Sequence, residues 1–318
     1  MYDVIVVGGG PAGLSAALAL GRTRRSTLVV DSGEPRNAPA AHMHNFISRD
    51  GTPPAEMRAI AREEIGRYDS VELRDDEAID AQPLPGVGFE VSLAGSDAVQ
   101  GRRLVLATGV IDEHPPIEGL SEHWGRGVYH CPYCHGYEVS DMPVAVLGTS
   151  PAAVNLAVHL TRLSDDVALL TNGADELEEA TAMVLGNAGV RIIHAPVTRL
   201  EGHDGQLEQV VFTNGDALAR QAVFSAVSTM RQRSTLPLRL GCAMLPDDAV
   251  EIDELGRTSV NGVFAAGDMA RRSTGGRMAA VITAAASGTV AGAAADKDLL
   301  AEEFGLPPMA IPAPARTA

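Results

Sequence analysis

A chain of 318 residues with 45% hydrophobic content has enough apolar material for about two domains, and at 4% aromatics its core is built mainly from Ala, Val, Leu and Ile. The net charge of −16 excludes a nucleic-acid face, which needs clustered cations to meet phosphates, and disfavours an anionic membrane surface. No apolar run is long enough to span a bilayer, no charged-then-apolar leader precedes the first strand, and three cysteines suit a reducing compartment, so the expectation is a cytoplasmic protein that uses no membrane.

Residues 2–7 (Tyr2-Asp3-Val4-Ile5-Val6-Val7) read as a buried parallel strand. They run into Gly8-Gly9-Gly10-Pro11-Ala12-Gly13 and then a helix-forming stretch from Leu14. A G-x-G-x-x-G between a strand and a helix is a dinucleotide turn: Gly8 turns tightly, Gly10 lets the backbone approach a pyrophosphate, and Gly13 lets the helix sit on the strand. The helix N-terminus after Gly10 offers unpaired N–H groups to phosphate, and Asp31, at the end of a second strand, is placed for ribose hydroxyls. Residues 32–52 form a loop in which His42 and His44 are spaced either to ligate a metal or to line a cofactor, unless they are simply polar loop residues; Asn45 beside them is a candidate cofactor contact. A helix over 54–66 follows, then strands near 70–73, 88–94 and 103–106, the last ending in Ala107-Thr108-Gly109, where small residues allow a ligand close to the backbone.

Pro115, Pro116, Gly119, Gly125 and Gly127 mark 112–127 as a linker and the first domain boundary. The stretch after it, His130-Cys131-Pro132-Tyr133-Cys134-His135-Gly136-Tyr137-Glu138, has two cysteines at C-x-x-C spacing, each beside a histidine. Two thiols so close can store two electrons as a disulfide. A zinc site would need four ligands, and no second C-x-x-C or C-x-x-H supplies the rest, so no metal is expected. A second strand–turn–helix–strand cycle runs over 143–170, an internal repeat of the first. Its turn, Gly148-Thr149-Ser150-Pro151, keeps only the first glycine, and its second strand leads to Asp175, Glu176, Glu178 and Glu179, where a 2′-phosphate would need arginine or lysine. Residues 181–230 close this domain and 232–246 form the return linker. Cys242 reads as a buried, inert thiol. Gly262 to Asp268 is a strand whose terminal Gly267-Asp268 can meet a ribityl hydroxyl. Two Ala-rich helices near 278–293 and 296–304 precede a disordered tail at about 307–318.

In this order and spacing the motifs resemble the low-molecular-weight thioredoxin reductases, over nearly the whole chain. The resemblance implies an α/β fold of two Rossmann-like, three-layer nucleotide-binding domains, the second inserted into the first. Residues 1–114 and 247–318 would form a discontinuous FAD-binding domain, and 115–246 a degenerate NAD(P)H-type domain carrying the C-x-x-C. It also implies FAD held by Gly8, Gly10, Pro11, Ala12, Gly13, Asp31, Asn45, Ala107, Thr108, Gly109, Gly267 and Asp268, a Cys131–Cys134 pair facing the flavin, and a homodimer. The chain departs from the reductase pattern in having His135 where an acid usually follows the second cysteine, in lacking the arginine pair for NADPH, and in placing Ala279-Ala280 where an Arg-Gln pair precedes the last helix. The Cys-Pro-Tyr-Cys-His-Gly-Tyr-Glu version resembles the FAD-dependent dithiol oxidases of gliotoxin and holomycin type, which implies a small dithiol substrate with O2 as electron acceptor and hydrogen peroxide as product. On that reading the catalytic residues are Cys131 and Cys134, with His135 first and His130 second as the base that generates thiolate. The alternatives are an NAD(P)H- or ferredoxin-dependent disulfide reductase using the same cysteines, and a non-catalytic flavin-binding regulatory protein.

Overall fold

The computed structural model describes residues 1–174, 177–203 and 205–307. Asp175 and Glu176 of the acidic run, and residues 308–318 of the tail expected to be disordered, lie outside the described residues. The chain forms two compact units: one from Met1–Arg36, Ala55–Ile111 and the residues from Met230 on, the other from Asn37–Pro54 and Asp112–Thr229.

The first unit is built on β1 (Tyr2–Val7), α1 (Pro11–Arg22), β2 (Thr27–Asp31), α2 (Pro54–Ile65), β3 (Val71–Asp75), β4 (Ala78–Leu84), β5 (Gly88–Leu93) and β6 (Val99–Leu106). The parallel order is β3-β2-β1-β6, and the strand Val263–Ala265 adds beside β6, also parallel. The β4–β5 hairpin continues the sheet through antiparallel pairing of β5 with the start of β6. β2 is buried at every position, as both faces of a parallel sheet must be when each is covered. Val4 and Val6 face Leu14 and Ala17 of α1 and Ala291 of the final helix, while Ile5 and Val7 face the opposite layer with Phe89, Val91 and Met269. β4 carries Pro83 and was not read from the sequence, because its pattern is too weakly apolar to stand out beside β5.

The final helix is a single element, Val281–Phe304, in place of the two expected. Nothing breaks it at 294–295, since Ala294 and Ala295 are buried against the core while Asp296 and Asp298 turn outward to Arg25 and Arg103, each at 2.6 Å. It crosses α1 closely because two of its residues are glycines: a Cβ on Gly288 would lie 1.9 Å from the Ala12 carbonyl oxygen, and one on Gly292 2.7 Å from that of Ala16. Gly288→Val is therefore expected to lower stability by about 3 kcal/mol, the upper end for forced overpacking, measured by urea denaturation.

The second unit repeats the design with a five-stranded parallel sheet in the order Arg191–Ile193, Val167–Leu170, Val144–Leu147, Ala222–Ser225, Val128–Tyr129. The helices Pro151–Leu160 and Glu179–Asn187 belong to it, together with an antiparallel meander of Val197–His203, Gln206–Phe212 and Ala217–Ala219. The fold is thus α/β with two Rossmann-like units, the second interrupting the first. The division differs from the expected 115–246 at both ends. Residues 230–246 join the first unit because the Gln232 side-chain amide donates to the carbonyls of Asp248 (2.6 Å) and Met269 (2.8 Å), and Leu236, Leu240 and Cys242 enter its core. Residues 37–54 join the second because Pro39 and Ala40 sit within about van der Waals reach of Gly125 and His44 faces Glu138. Among the described residues no helix is long and apolar enough to cross a membrane.

Candidate redox and nucleotide sites

In the second unit the edge strand Val128–Tyr129 delivers the C-x-x-C stretch. Cys131 is the N-cap of a one-turn helix, Pro132–His135, with extended backbone, and Pro132 occupies the first helical position, where its missing N–H costs nothing. The turn closes when the N–H groups of Cys134 and His135 both donate to the Cys131 carbonyl, each at 3.3 Å. Gly136 follows because a Cβ there would lie 2.3 Å from the Pro132 carbonyl oxygen. This brings the two Cα atoms to 5.3 Å, and Cys131 and Cys134 form a disulfide, both half-buried. Among the described residues no group of three or more His, Cys, Asp or Glu side chains is arranged to hold a metal ion.

The two candidate bases sit in different settings. His135 stacks on Tyr129, with ring centroids 4.5 Å apart and planes 14° apart, and its buried Nε2 has no hydrogen-bond partner among the described residues. Burial, with His130 and His44 adding to it, pushes its pKa down to about 4, so the imidazole is neutral at neutral pH. His130 is exposed and stacks on Trp124 at 5.6 Å and 15°. Sequence reading did not foresee that His44, from the 37–54 loop, lies beside this helix, its ring 6.5 Å from that of His135 and its Nδ1 3.4 Å from Glu138.

In the first unit the glycines of the first turn have separate jobs. Gly8 has a φ of 109° and no room for a side chain, since a Cβ would lie 2.3 Å from the Ala107 carbonyl oxygen. A Cβ on Gly13 would lie 1.8 Å from the Gly8 carbonyl oxygen, whereas one on Gly10 would meet nothing within 4 Å. Gly10 is also the N-cap of α1, and no side chain caps the helix there, so its first N–H groups lack a side-chain acceptor among the described residues. Uncapped donors at a dipole's positive end beside an unfilled surface fit a pyrophosphate. Asp31 accepts from the Gly9 N–H (3.0 Å) and from Arg58 (2.6 Å), and a carboxylate with two donors keeps lone pairs for ribose hydroxyls. Ala107, Thr108 and Gly109 end β6 in the same unit, with Thr108 Oγ1 3.3 Å from the Met269 sulfur. The Gly267 N–H donates to Ser287 Oγ at 2.9 Å, and Asp268 pairs with Arg36 at 2.8 Å. Asn45 belongs to the second unit, where its N–H donates to Asp50 at 2.7 Å.

The second turn is built differently. Both helices open on a proline, but here Ser150 stands at the N-cap where the first turn has Gly10, and its hydroxyl caps the helix by accepting from the Ala153 N–H at 3.2 Å. Arg191 and Arg220 both bind Asp166 at 2.9 Å. Asp166 immediately precedes the strand Val167–Leu170, so these cations stand at the amino edge of the sheet, opposite the carboxyl edge where nucleotides bind. At the carboxyl edge come Thr171, Asn172 and Gly173, then Glu178 and Glu179 at the next helix start.

Sequence reading also missed the arginines of α2. Arg58 binds Asp31, and Arg62 lies 3.6 Å from the same carboxylate. Their i, i+4 spacing, which puts both on one helix face, was the available signal. Arg277, ahead of the final helix, is buried, with its guanidinium donating to the Asp247 carbonyl at 3.0 Å.

A discontinuous pair of Rossmann-like units, one with an open glycine turn and the other with a C-x-x-C disulfide, defines a class. The chain belongs to the pyridine nucleotide-disulphide oxidoreductase family, whose model matches residues 2–288. Within it the chain is a thioredoxin-reductase-like disulfide oxidoreductase: it is 37% identical to thioredoxin reductase tcpT of Claviceps purpurea over 96% of each chain. It is 35% identical to thioredoxin reductase aclD of Aspergillus oryzae, covering 84% of this chain and 88% of that one. Among solved structures it is similar to HlmI, at 41% identity and a TM-score of 0.88 over 96% of this chain and 94% of that one.

Proposed function

We propose that the protein is an FAD-dependent dithiol oxidase that closes a disulfide in a small-molecule dithiol. The observation that supports this reading over a nicotinamide-driven one is the contrast between the two turns. The first leaves its helix donors uncapped beside open space, while the second caps itself with Ser150 and keeps Arg191 and Arg220 on the far edge of its sheet. Gly8, Gly10, Pro11, Ala12, Gly13, Asp31, Asn45, Ala107, Thr108, Gly109, Gly267 and Asp268 would hold the FAD.

One substrate thiolate attacks the Cys131 sulfur, forming a mixed disulfide and releasing Cys134 as thiolate. The second substrate thiol loses its proton and attacks the first substrate sulfur, releasing Cys131 and leaving a product disulfide. The cysteine pair has then gained two electrons and the substrate has lost two. When bound, FAD supplies the two-electron acceptor that returns the pair to the disulfide and delivers the electrons to O2 as hydrogen peroxide. We propose His135, beside Cys134, as the acceptor of the proton that each thiol loses and His130 as the alternative; burial, which lowers the His135 pKa to about 4, makes it a weak base.

Oxygen consumption with a panel of small dithiols, with and without NADPH, tests the proposal. Peroxide formed from a dithiol without NADPH is the expected result, and uptake that requires NADPH overturns it. The relatives' designation as thioredoxin reductases favours a second reading, a disulfide reductase, which we take as NAD(P)H- or ferredoxin-dependent. Against the nicotinamide form of it we expect anaerobic mixing with NADPH to leave the flavin oxidised at least a hundredfold longer than mixing with dithiol does; stopped-flow absorbance checks this. A homodimer, with a monomer in sedimentation velocity as the contrary result, completes the proposal.

A further inference from the structure

Helix α2 is tied to the carboxyl ends of three strands at once. The Arg58 Nε donates to the Gly9 carbonyl, in the turn after β1, at 3.3 Å, and its Nη2 donates to Asp31, the last residue of β2, at 2.6 Å. One turn further along, Arg62 donates to Asp75, the last residue of β3, at 2.7 Å and lies 3.6 Å from Asp31. The Gly9 N–H donates to the other oxygen of Asp31 at 3.0 Å. Gly9, Asp31 and Arg58 therefore close a ring of three hydrogen bonds, in which the glycine both gives and accepts. The carboxylate is pressed against the turn, since a Cβ on Gly9 would lie 2.4 Å from the Asp31 Cγ. The Asp31 side chain is 9% exposed and that of Arg58 17%, so the ring is largely shielded from water. A planar guanidinium is the cation able to hold a carboxylate and a carbonyl together in this way.

We propose that Arg58 is a positioning residue of the first unit's dinucleotide site: it aims Asp31 at the adenosine ribose and offsets the charge that this carboxylate would otherwise set beside the pyrophosphate. This rests on the FAD proposed above for the glycine turn, and not on the dithiol chemistry. Asp31 is the group that meets the ribose hydroxyls, and Arg58 acts through it. Two effects combine. With one oxygen held by the Gly9 N–H and the other by Arg58, the carboxylate is kept from rotating, so the hydroxyls meet an acceptor already in place. The second effect is electrostatic. Gly9 directly precedes the N-cap Gly10, so an unpaired carboxylate here would oppose the pull of the helix-terminal donors on a doubly charged pyrophosphate. The guanidinium removes that opposition, and Arg62, further off and bonded to Asp75, adds to it.

The test is a double-mutant cycle on FAD affinity, read by equilibrium titration of the flavin-free full chain in the parent, Arg58→Met, Asp31→Ala and the two combined. Arg58→Met should bind FAD about tenfold more weakly, as expected for losing a hydrogen bond to a charged group. Asp31→Ala should lose at least as much, and the combined variant should bind within about twofold of Asp31→Ala alone. An Arg58→Met affinity within about twofold of the parent overturns the proposal. So does a combined loss equal to the product of the two single losses, because that marks a packing role of α2 that does not run through Asp31. Arg58→Lys, which keeps the cation without the fork, takes the place of Arg58→Met if that variant does not fold: about threefold weaker binding is then expected, and parent-like binding overturns the proposal. A parent chain that binds no flavin sinks the cofactor reading and this inference together. Missing dithiol oxidation with the cycle intact sinks the oxidase reading alone.

Discussion

Cys131→Ser and Cys134→Ser should each cut dithiol-dependent oxygen uptake by about a thousandfold or more while leaving the protein yellow. The sulfurs are the only atoms in this stretch able to take two electrons from a thiol and give them up again, and a hydroxyl does neither. Apart from Asn45, the proposed flavin contacts lie at the glycine turn and the ends of β1, β6 and the strand Val263–Ala265, and neither cysteine is among the residues proposed to hold the cofactor. The variants differ in what they trap. Cys134→Ser keeps Cys131 and should accumulate a mixed disulfide with substrate, visible as added mass in intact-protein spectrometry, whereas Cys131→Ser should not. Oxygen uptake within tenfold of the parent in either variant would exclude the disulfide as the redox relay. An unchanged biological output in both would favour the non-catalytic, regulatory reading.

The second large effect comes from the first turn. Gly10→Asp should leave the fold intact, because a Cβ at Gly10 meets nothing within 4 Å. The new carboxylate would project where the pyrophosphate is proposed to bind and repel it, so flavin affinity should fall by about a hundredfold or more, near 3 kcal/mol. The protein should purify colourless yet melt as a folded domain. Gly13→Ala should behave in the opposite way, failing to fold the turn, because its Cβ would lie 1.8 Å from the Gly8 carbonyl oxygen. Equilibrium flavin titration and calorimetry separate the two. Normal flavin content in Gly10→Asp would remove this turn from the cofactor site.

Much of this was legible because the signals are local. A β-branched run entering G-x-G-x-x-G, an acid at the next strand end and two cysteines three apart each carry their meaning within a few residues, since turn sterics, helix-terminal donors and thiol proximity are short-range effects. The repeat of the strand–turn–helix–strand pattern likewise gave the two-unit α/β architecture, with the second turn's lost glycines visible at Thr149 and Ser150.

The rest lies in contacts between distant segments. No spacing announces that the 37–54 loop belongs with the disulfide unit, that His44 meets Glu138, or that Arg58 and Arg62 converge on Asp31. The same holds for His135, which reads in the chain as a base beside a thiol and in the fold is a half-buried, stacked, neutral ring. The one-turn helix of Pro132–His135 and the uninterrupted final helix also depend on what surrounds them. Burial, ion pairing and proton affinity are set by which atoms arrive next to a group from elsewhere in the chain. Neighbours in sequence therefore specify what a residue is able to do, and neighbours in space specify the charge state and the partners with which it does it.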